Sequence, residues 1–353
     1  MSLTTLNATD ALAQLQTFDT IIDARSESEF ALDHLPGAVN WPTLDDEERK
    51  LIGTVYVQVN QFEAKKRGAA MAARNIGKHI ERDVISKPRD WKPLAYCWRG
   101  GKRSGSLSLI LDQIGFHVTL LEGGYKAFRA AMLLDSPRQV DRLNFQVVCG
   151  TTGSGKTRLL QALARTGAQV LDLEALASHR SSVLGAIPGQ PQPSQKHFDS
   201  LVWDALRQFD PTRPVYVESE SKKVGNVSIA TALVERMRTS PCLNLRLSMG
   251  ERVALLMEDY DFFVTDPNHF CNRLDVLAEI RGKGVVNGWK ALVLAGQVEP
   301  VVHDLLTLHY DPVYLQSMQR NFVMYPQARP IEPRDRSIDA MQELADQLNQ
   351  AAG

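Results

Sequence analysis

The sequence predicts two α/β layer domains in tandem, the second ending in a helical region, and three observations carry that expectation. Short apolar runs alternate with helical patterns along residues 10–130; the pattern lapses over Asp135–Asn144; a second buried-type run, Phe145–Cys149, then feeds a glycine-rich turn and a helix. With 353 residues, 44% of them apolar, the chain is long enough for two buried cores, since single cores rarely grow past about 250–300 residues. The predicted division is 1–138 and 139–353, with the lapse as the link.

In the first domain Thr20–Ala24, Gly37–Asn40, Leu94–Tyr96 and Val118–Leu121 read as strands. After Tyr96 comes a loop, and then Leu107, Ile110, Leu111 and Ile114 recur at helical spacing, marking one apolar face of a helix that stops at Gly115. Cys97 is therefore expected where a strand ends and a helix begins. Between residues 45 and 89 lies an insertion whose segment Gln61–Arg82 has helical composition. In the second domain a helix is predicted over Lys156–Arg165, with strands at Gln169–Leu173, Val215–Glu218 and Leu243–Leu247. The turn-rich run Gly185–Pro193 reads as a mobile loop or lid. From Glu251 onward the chain is helical in character and closes in an amphipathic segment, Ser337–Gln350.

Net charge is −1, which argues against a protein that binds nucleic acid through its whole surface. The charge is unevenly spread, however. Residues 61–103 hold twelve Lys or Arg against four acids, a surplus of eight, whereas residues 1–60 hold ten acids against three bases. Lys65, Lys66, Arg67, Arg74, Lys78 and Arg82 in the insertion are candidates to meet an anionic partner, against the alternative of a solvated, salt-bridged helix face. Four well-separated cysteines with no CxxC pair suggest neither zinc nor a disulfide framework. No export leader or membrane span is read in the sequence, so a reducing cytoplasm is the expected setting.

Gly150-Thr151-Thr152-Gly153-Ser154-Gly155-Lys156-Thr157 fits G-x-x-x-x-G-K-[ST] between a predicted strand and a predicted helix. Glycines let backbone amides close around phosphate oxygens, the helix start adds positive potential, Lys156 neutralises charge, and the Thr157 hydroxyl can ligate Mg²⁺. A second acid is expected to hold the metal or a water. Asp172 and Glu218 end predicted strands and are the candidates, each equally readable as a cap. The motif specifies a di- or triphosphate and leaves open whether a nucleotide carries it.

Cys97-Trp98-Arg99-Gly100-Gly101-Lys102-Arg103-Ser104 sets a thiol ahead of two glycines and three cations at a helix start. Positive charge, the helix end and a nest of amides all stabilise a negative sulfur, so a reactive cysteine is expected, an arginine- and glycine-rich loop being a poor place to bury a structural one. Such a loop serves two chemistries. One carries sulfur or selenium on the cysteine; the other forms a phosphocysteine, for which the Cys-x₅-Arg spacing of Cys97 and Arg103 is also right.

The surrounding segments favour the first. Thr20–Phe30 (TIIDARSESEF), His34–Asn40 (HLPGAVN) and Leu121–Phe128 (LEGGYKAF) closely resemble the signature segments of rhodanese domains. A rhodanese-like domain with this cysteine loop, followed directly by a P-loop NTPase-like α/β domain, resembles the tRNA 2-selenouridine synthase family over nearly the whole chain. The similarity includes Ser178-His179-Arg180 and His309-Tyr310-Asp311-Pro312-Val313-Tyr314. In that family His179-Arg180 is usually followed by glycine, where this chain has Ser181.

The resemblance implies a two-stage exchange at the wobble uridine (U34) of tRNAs for lysine, glutamate and glutamine. Geranyl diphosphate alkylates a 2-thiouridine sulfur, and selenium from selenophosphate then displaces the S-geranyl group. In that scheme the P-loop cradles the departing diphosphate, and Cys97 accepts selenium as a selenopersulfide steadied by Arg99, Lys102, Arg103 and the loop amides. The basic insertion would hold anticodon-stem phosphates, and Trp98 either stacks on a base or packs internally. A selenophosphate-supplying enzyme is an implied partner. Two rival readings stay open on sequence: a sulfurtransferase or phosphatase fused to an ATP-binding domain, and a nucleotide-switched docking protein.

Overall fold

The alternation of apolar runs and helices resolves, in the computed structural model, into two separate parallel sheets. The structure describes residues 3–180, 185, 187, 189–260 and 265–352. Ser181, Ala186 and Pro188 lie outside the described residues, so the predicted loop Gly185–Pro193 is described only in part. The chain divides into one unit of Met1–Arg138 with Pro193–Asp204 and a second of Gln139–Gln192 with Ala205–Gly353.

In the first unit β1 (Thr4–Leu6), β2 (Thr20–Asp23), β3 (Ala38–Asn40), β4 (Pro93–Tyr96) and β5 (Thr119–Leu121) lie in the order β1-β5-β4-β2-β3, every pair parallel. Parallel sheets bury both faces, and two cores result. One gathers Leu94, Tyr96, Leu121 and Phe128 with Trp203; the other gathers Ile22, Ala95, Leu107 and Leu111 with Ile76 and Cys97. The helices are α1 (Ala8–Gln14), α2 (Glu27–Leu32), α3 (Asp46–Gln58), α4 (Gln61–His79), α5 (Lys102–Ile114) and α6 (Gly124–Asp141). The insertion is thus a helical hairpin, α3 and α4, and Ile76 of α4 enters the same core as Cys97. Helix α5 ends at Gly115, whose φ of 110° suits glycine.

The segment Asp135–Asn144, predicted as the link, is mostly helical: α6 runs to Asp141, with Pro137 inside it. The carbonyl that Pro137 leaves without a helical partner belongs to Leu133, a half-exposed residue within reach of water. Trp203 Nε1 donates to Asp135 Oδ2 at 2.8 Å. Tertiary packing here overrides weak local helix preference.

In the second unit β6 (Asn144–Cys149) is central, with β7 (Gln169–Leu171), β8 (Pro214–Glu218), β11 (Cys242–Leu245) and β12 (Arg329–Ile331) around it in the parallel order β12-β11-β6-β8-β7. A small antiparallel pair, β9 (Lys223–Val224) and β10 (Val227–Ser228), stands apart. The unpredicted β12 contains Pro330, which an edge strand tolerates. Helices α7 (Lys156–Arg165), α8 (Leu173–Ala177), α10 (Thr231–Thr239) and α11 (Met249–Asp259) follow the strands, whereas α9 (Gln195–Gln208) belongs to the first unit as far as Asp204. Leu159, Leu160 and Leu163 of α7 share a core with Met341, Leu344 and Leu348 of the terminal helix Ile338–Ala352. The helical region after α11 has a core of its own, built on Phe270, Leu274, Trp289, Val293 and Val301. Among the described residues no helix is long and apolar enough to cross a membrane.

Candidate functional site

The cysteine loop follows β4 and turns into α5. Cys97 Sγ accepts a hydrogen bond from the Gly101 amide at 3.2 Å and another from the Ser104 hydroxyl at 3.1 Å. Two donors at a helix start therefore converge on the sulfur, as a negative chalcogen requires. The expectation that such a loop is a poor place to bury the thiol is corrected: Cys97 is only 3% exposed. The backbone of residues 97–101 folds round to bring the Gly101 amide to the sulfur, and the first turn of α6 backs it. Tyr125 and Lys126 donate their amides to the carbonyls of Cys97 and Trp98 at 2.8 and 3.1 Å.

Of the three loop cations, Arg103 is engaged with Glu29, Nη1 to Oε2 at 2.6 Å and Nη2 to Oε1 at 3.3 Å. Burial acts to raise the Glu29 carboxyl, but the hydrogen bond and charge of Arg103, with the Ser26 amide and the Arg49 charge, together outweigh it and leave the group below its ordinary value. The same carboxylate closes the capping box of α2 with Ser26. Arg99 and Lys102 are exposed, and Gly100, Gly101 and Ser104 complete the turn. Trp98 stacks on Tyr125 with ring centroids 5.4 Å apart, and the Arg25 guanidinium lies 4.1 Å from the Tyr125 centroid. In the insertion Lys65, Arg67 and Lys78 are exposed, Lys66 pairs with Glu63 at 2.5 Å, Arg74 with Glu48 at 2.8 Å, and Arg82 with Asp83 at 2.7 Å.

The phosphate loop, Gly150–Thr157, joins β6 to α7. Lys156 Nζ donates to the Gly150 carbonyl at 2.7 Å, and the Thr157 hydroxyl donates to Glu174 Oε2 at 3.4 Å. Glu174, Glu218 and Glu220 offer carboxylate oxygens within 4.8 Å of one another. Burial, followed by the neighbouring Glu220 charge, pushes the Glu174 carboxyl up to about 8; burial and the charge of Glu174 push Glu218 well up too. Three such groups cannot all ionise in that setting without a counter-charge, and a divalent cation beside Thr157 suits the donor set.

Of the two acids named from sequence, Glu218 stands in this cluster. Asp172 instead caps α8, accepting from the Ala175 amide at 2.8 Å. Glu174 and Glu220 were missed, because a glutamate after a strand has no local mark separating it from a surface acid. The segment His309–Tyr314, quoted above without a structural role, reaches the loop through two residues: Tyr314 accepts the Gly150 amide at 2.7 Å, and Asp311 binds Arg252, which holds the Thr152 carbonyl. Thr151, Gly153, Ser154 and Gly155 make up the remainder of the turn.

Comparison with known proteins adds the following. Residues 7–131 match the model of the rhodanese-like domain, and residues 143–275 match that of the tRNA 2-selenouridine synthase AAA domain. The tRNA 2-selenouridine synthase of Nitrosomonas europaea is 36% identical over 256 residues, covering 71% of this chain and 66% of that protein. Its counterpart in Shewanella halifaxensis is 34% identical over 268 residues, covering 74% and 71%. The match thus spans a little under two thirds of the Nitrosomonas protein's length. A rhodanese-related protein from Thermoplasma volcanium aligns with 18% identity and a TM-score of 0.24, over 35% of this chain and 89% of its own.

Proposed function

The chain belongs to the tRNA 2-selenouridine synthase family, and on that premise we propose that it converts 2-thiouridine at the wobble position of tRNA to 2-selenouridine in two stages. A thiocarbonyl sulfur is a poor leaving group until alkylated. The first stage therefore transfers the geranyl group of geranyl diphosphate to that sulfur, with release of diphosphate. In the second, the selenium of selenophosphate bonds to C2 as geranyl thiolate departs, and water then cleaves the selenium–phosphorus bond to release phosphate and leave 2-selenouridine. The substrates are tRNAs for lysine, glutamate and glutamine, the location is cytoplasmic, and an enzyme that makes selenophosphate supplies the donor.

The phosphate loop cradles the diphosphate. Its amides and Lys156 stabilise the charge that develops as the carbon–oxygen bond breaks. Thr157 with Glu174, Glu218 and Glu220 would hold Mg²⁺, which when bound neutralises diphosphate charge. Cys97 handles the selenium, its negative form held by the Gly101 amide and the Ser104 hydroxyl, while exposed Arg99 and Lys102 attract the anionic donor. Lys65, Lys66, Arg67 and Lys78, with Arg74 and Arg82 beside them, offer cations to the anticodon-stem phosphates.

The observation that carries the reading is the pair of donors aimed at Cys97 Sγ, at 3.2 and 3.1 Å. A docking module has no use for that arrangement. The test incubates the full-length protein with 2-thiouridine-containing tRNA, geranyl diphosphate and selenophosphate, and reads the nucleosides by mass. The wild type is expected to yield 2-selenouridine, and Cys97→Ser to stop at the S-geranyl nucleoside with selenation at background. Wild-type selenation by the mutant removes Cys97 from the chemistry, and no S-geranyl product from either protein refutes the two-stage reading.

A further inference from the structure

Inside the phosphate loop the Thr152 carbonyl accepts two hydrogen bonds from one guanidinium, Arg252 Nε at 2.9 Å and Nη2 at 2.8 Å. The rest of that fork grips Asp311, with Nη1 to Oδ2 at 2.9 Å and Nη2 to Oδ1 at 2.6 Å. Arg252 is 6% exposed, and a buried planar fork engaged along both edges has little freedom to turn. Its hold has a direct consequence for the backbone. A trans peptide is planar, with its carbonyl and amide on opposite sides, and there is no cis bond among the described residues. Drawing the Thr152 carbonyl toward α11 therefore turns the Gly153 N–H away from α11, and the amides of such a loop are the donors that receive phosphate.

A second anchor comes from the same source as Asp311. Tyr314 accepts the Gly150 amide at 2.7 Å, its hydroxyl lies 2.9 Å from Ser219 Oγ, and its ring centroid is 5.5 Å from Lys156 Nζ. Asp311 and Tyr314 both sit in the first turn of the helix Asp311–Asn321, three residues apart and so on one face. One helix turn thus reaches the start of the loop directly and its middle through Arg252. None of these three residues belongs to the G-x-x-x-x-G-K-[ST] motif.

We infer that Arg252, aimed by Asp311, is a positioning residue that presets the Thr152–Gly153 peptide for a diphosphate, and that the first turn of helix Asp311–Asn321 holds the phosphate loop in its binding shape. The inference rests on the reading that this loop takes the diphosphate. Arg252 touches no reacting atom; it acts by orienting one amide before the ligand arrives. Losing that amide as a donor to a charged oxygen weakens binding about ten- to hundredfold.

The test uses the full-length protein and inorganic pyrophosphate, with affinity measured by calorimetry on folded material and melting temperature followed alongside. Arg252→Lys keeps the charge facing Asp311 but lacks the fork. It is expected to bind pyrophosphate about ten- to hundredfold more weakly, and to raise the KM for geranyl diphosphate with kcat at saturation little changed. Asp311→Asn, isosteric and chosen to fold, should weaken binding about threefold or more through the freed guanidinium. Wild-type affinity in both variants overturns the inference whatever happens to the melting temperature, since a purely structural pair would move stability alone. Lys156→Ala separates this outcome from failure of the underlying reading: if it too binds pyrophosphate as the wild type does, the loop is not the diphosphate site.

Discussion

Gly124→Ala is a single methyl placed where the cysteine loop has no room for it. Gly124 has φ of 57°, and a Cβ there would stand 2.2 Å from the Cys97 carbonyl oxygen, 2.5 Å from the Gly100 nitrogen and 3.0 Å from the Arg99 nitrogen. All three are backbone atoms, so no side chain can swing aside. Reaching even 3.0 Å from the carbonyl requires an opening of about 0.8 Å, the difference between 3.0 and 2.2 Å. Two costs combine: about 1–2 kcal/mol for a left-handed alanine and about 1–3 kcal/mol for overpacking. A total of about 2–5 kcal/mol lowers the melting temperature by about 4 °C or more. The displacement also pulls the 97–101 backbone from the sulfur it cradles, so the Gly101 amide, now 3.2 Å from Sγ, is drawn off line. The assay is a melting curve together with nucleoside mass analysis. Selenation is expected to fall much further than geranylation, because the phosphate loop lies in the other unit. Wild-type stability and wild-type 2-selenouridine from the mutant would refute the claim that the contact at Gly124 sets the loop.

Two further expectations follow from the charges. The carboxyl of Glu174 is raised to about 8 against an ordinary 4.5, burial first and Glu220 second, so between those values the folded protein binds the extra proton. Stability of the metal-free protein should therefore be greatest below about pH 4.5 on this group's account and fall as pH rises toward about 8; Mg²⁺ or Glu174→Gln should flatten that fall. Melting curves across the range check it, and an unchanged slope in Glu174→Gln would count against the cluster. Replacing Lys65, Lys66 and Arg67 together by alanine should lower tRNA affinity and reduce the salt dependence of binding by about three charges. Binding and salt slope equal to those of the wild type would mean these cations face only solvent.

Much of the molecule was legible locally. The strands leading to Cys97 and Gly150, the helices after them, and the stop at Gly115 all follow from runs of apolar residues and from glycine's backbone freedom. The helical conformation of Asp135–Asp141 was not, because Asp-Ser-Pro-Arg reads as a turn in isolation while the packing around α6 carries the helix through it. The short edge strands β1 and β12 escaped for a related reason. Mostly exposed residues, Thr4 and Thr5 in one and Arg329 and Pro330 in the other, make no apolar run, and their place is decided by the partners Thr119–Leu121 and Leu243–Leu245.

The sequence by itself determined the chemistry on offer: a thiol before a glycine-rich helix start, a phosphate loop complete to Thr157, and a cationic insertion, each written in neighbouring residues. Only the tertiary structure decided what holds them. Arg252 reaches Thr152 across 100 residues, Tyr314 reaches Gly150 across 164, and Arg103 is drawn to Glu29 across 74. Motifs survive in one dimension because their function needs adjacent atoms. Supporting contacts are set by where the sheets place distant side chains, and they leave no spacing to read.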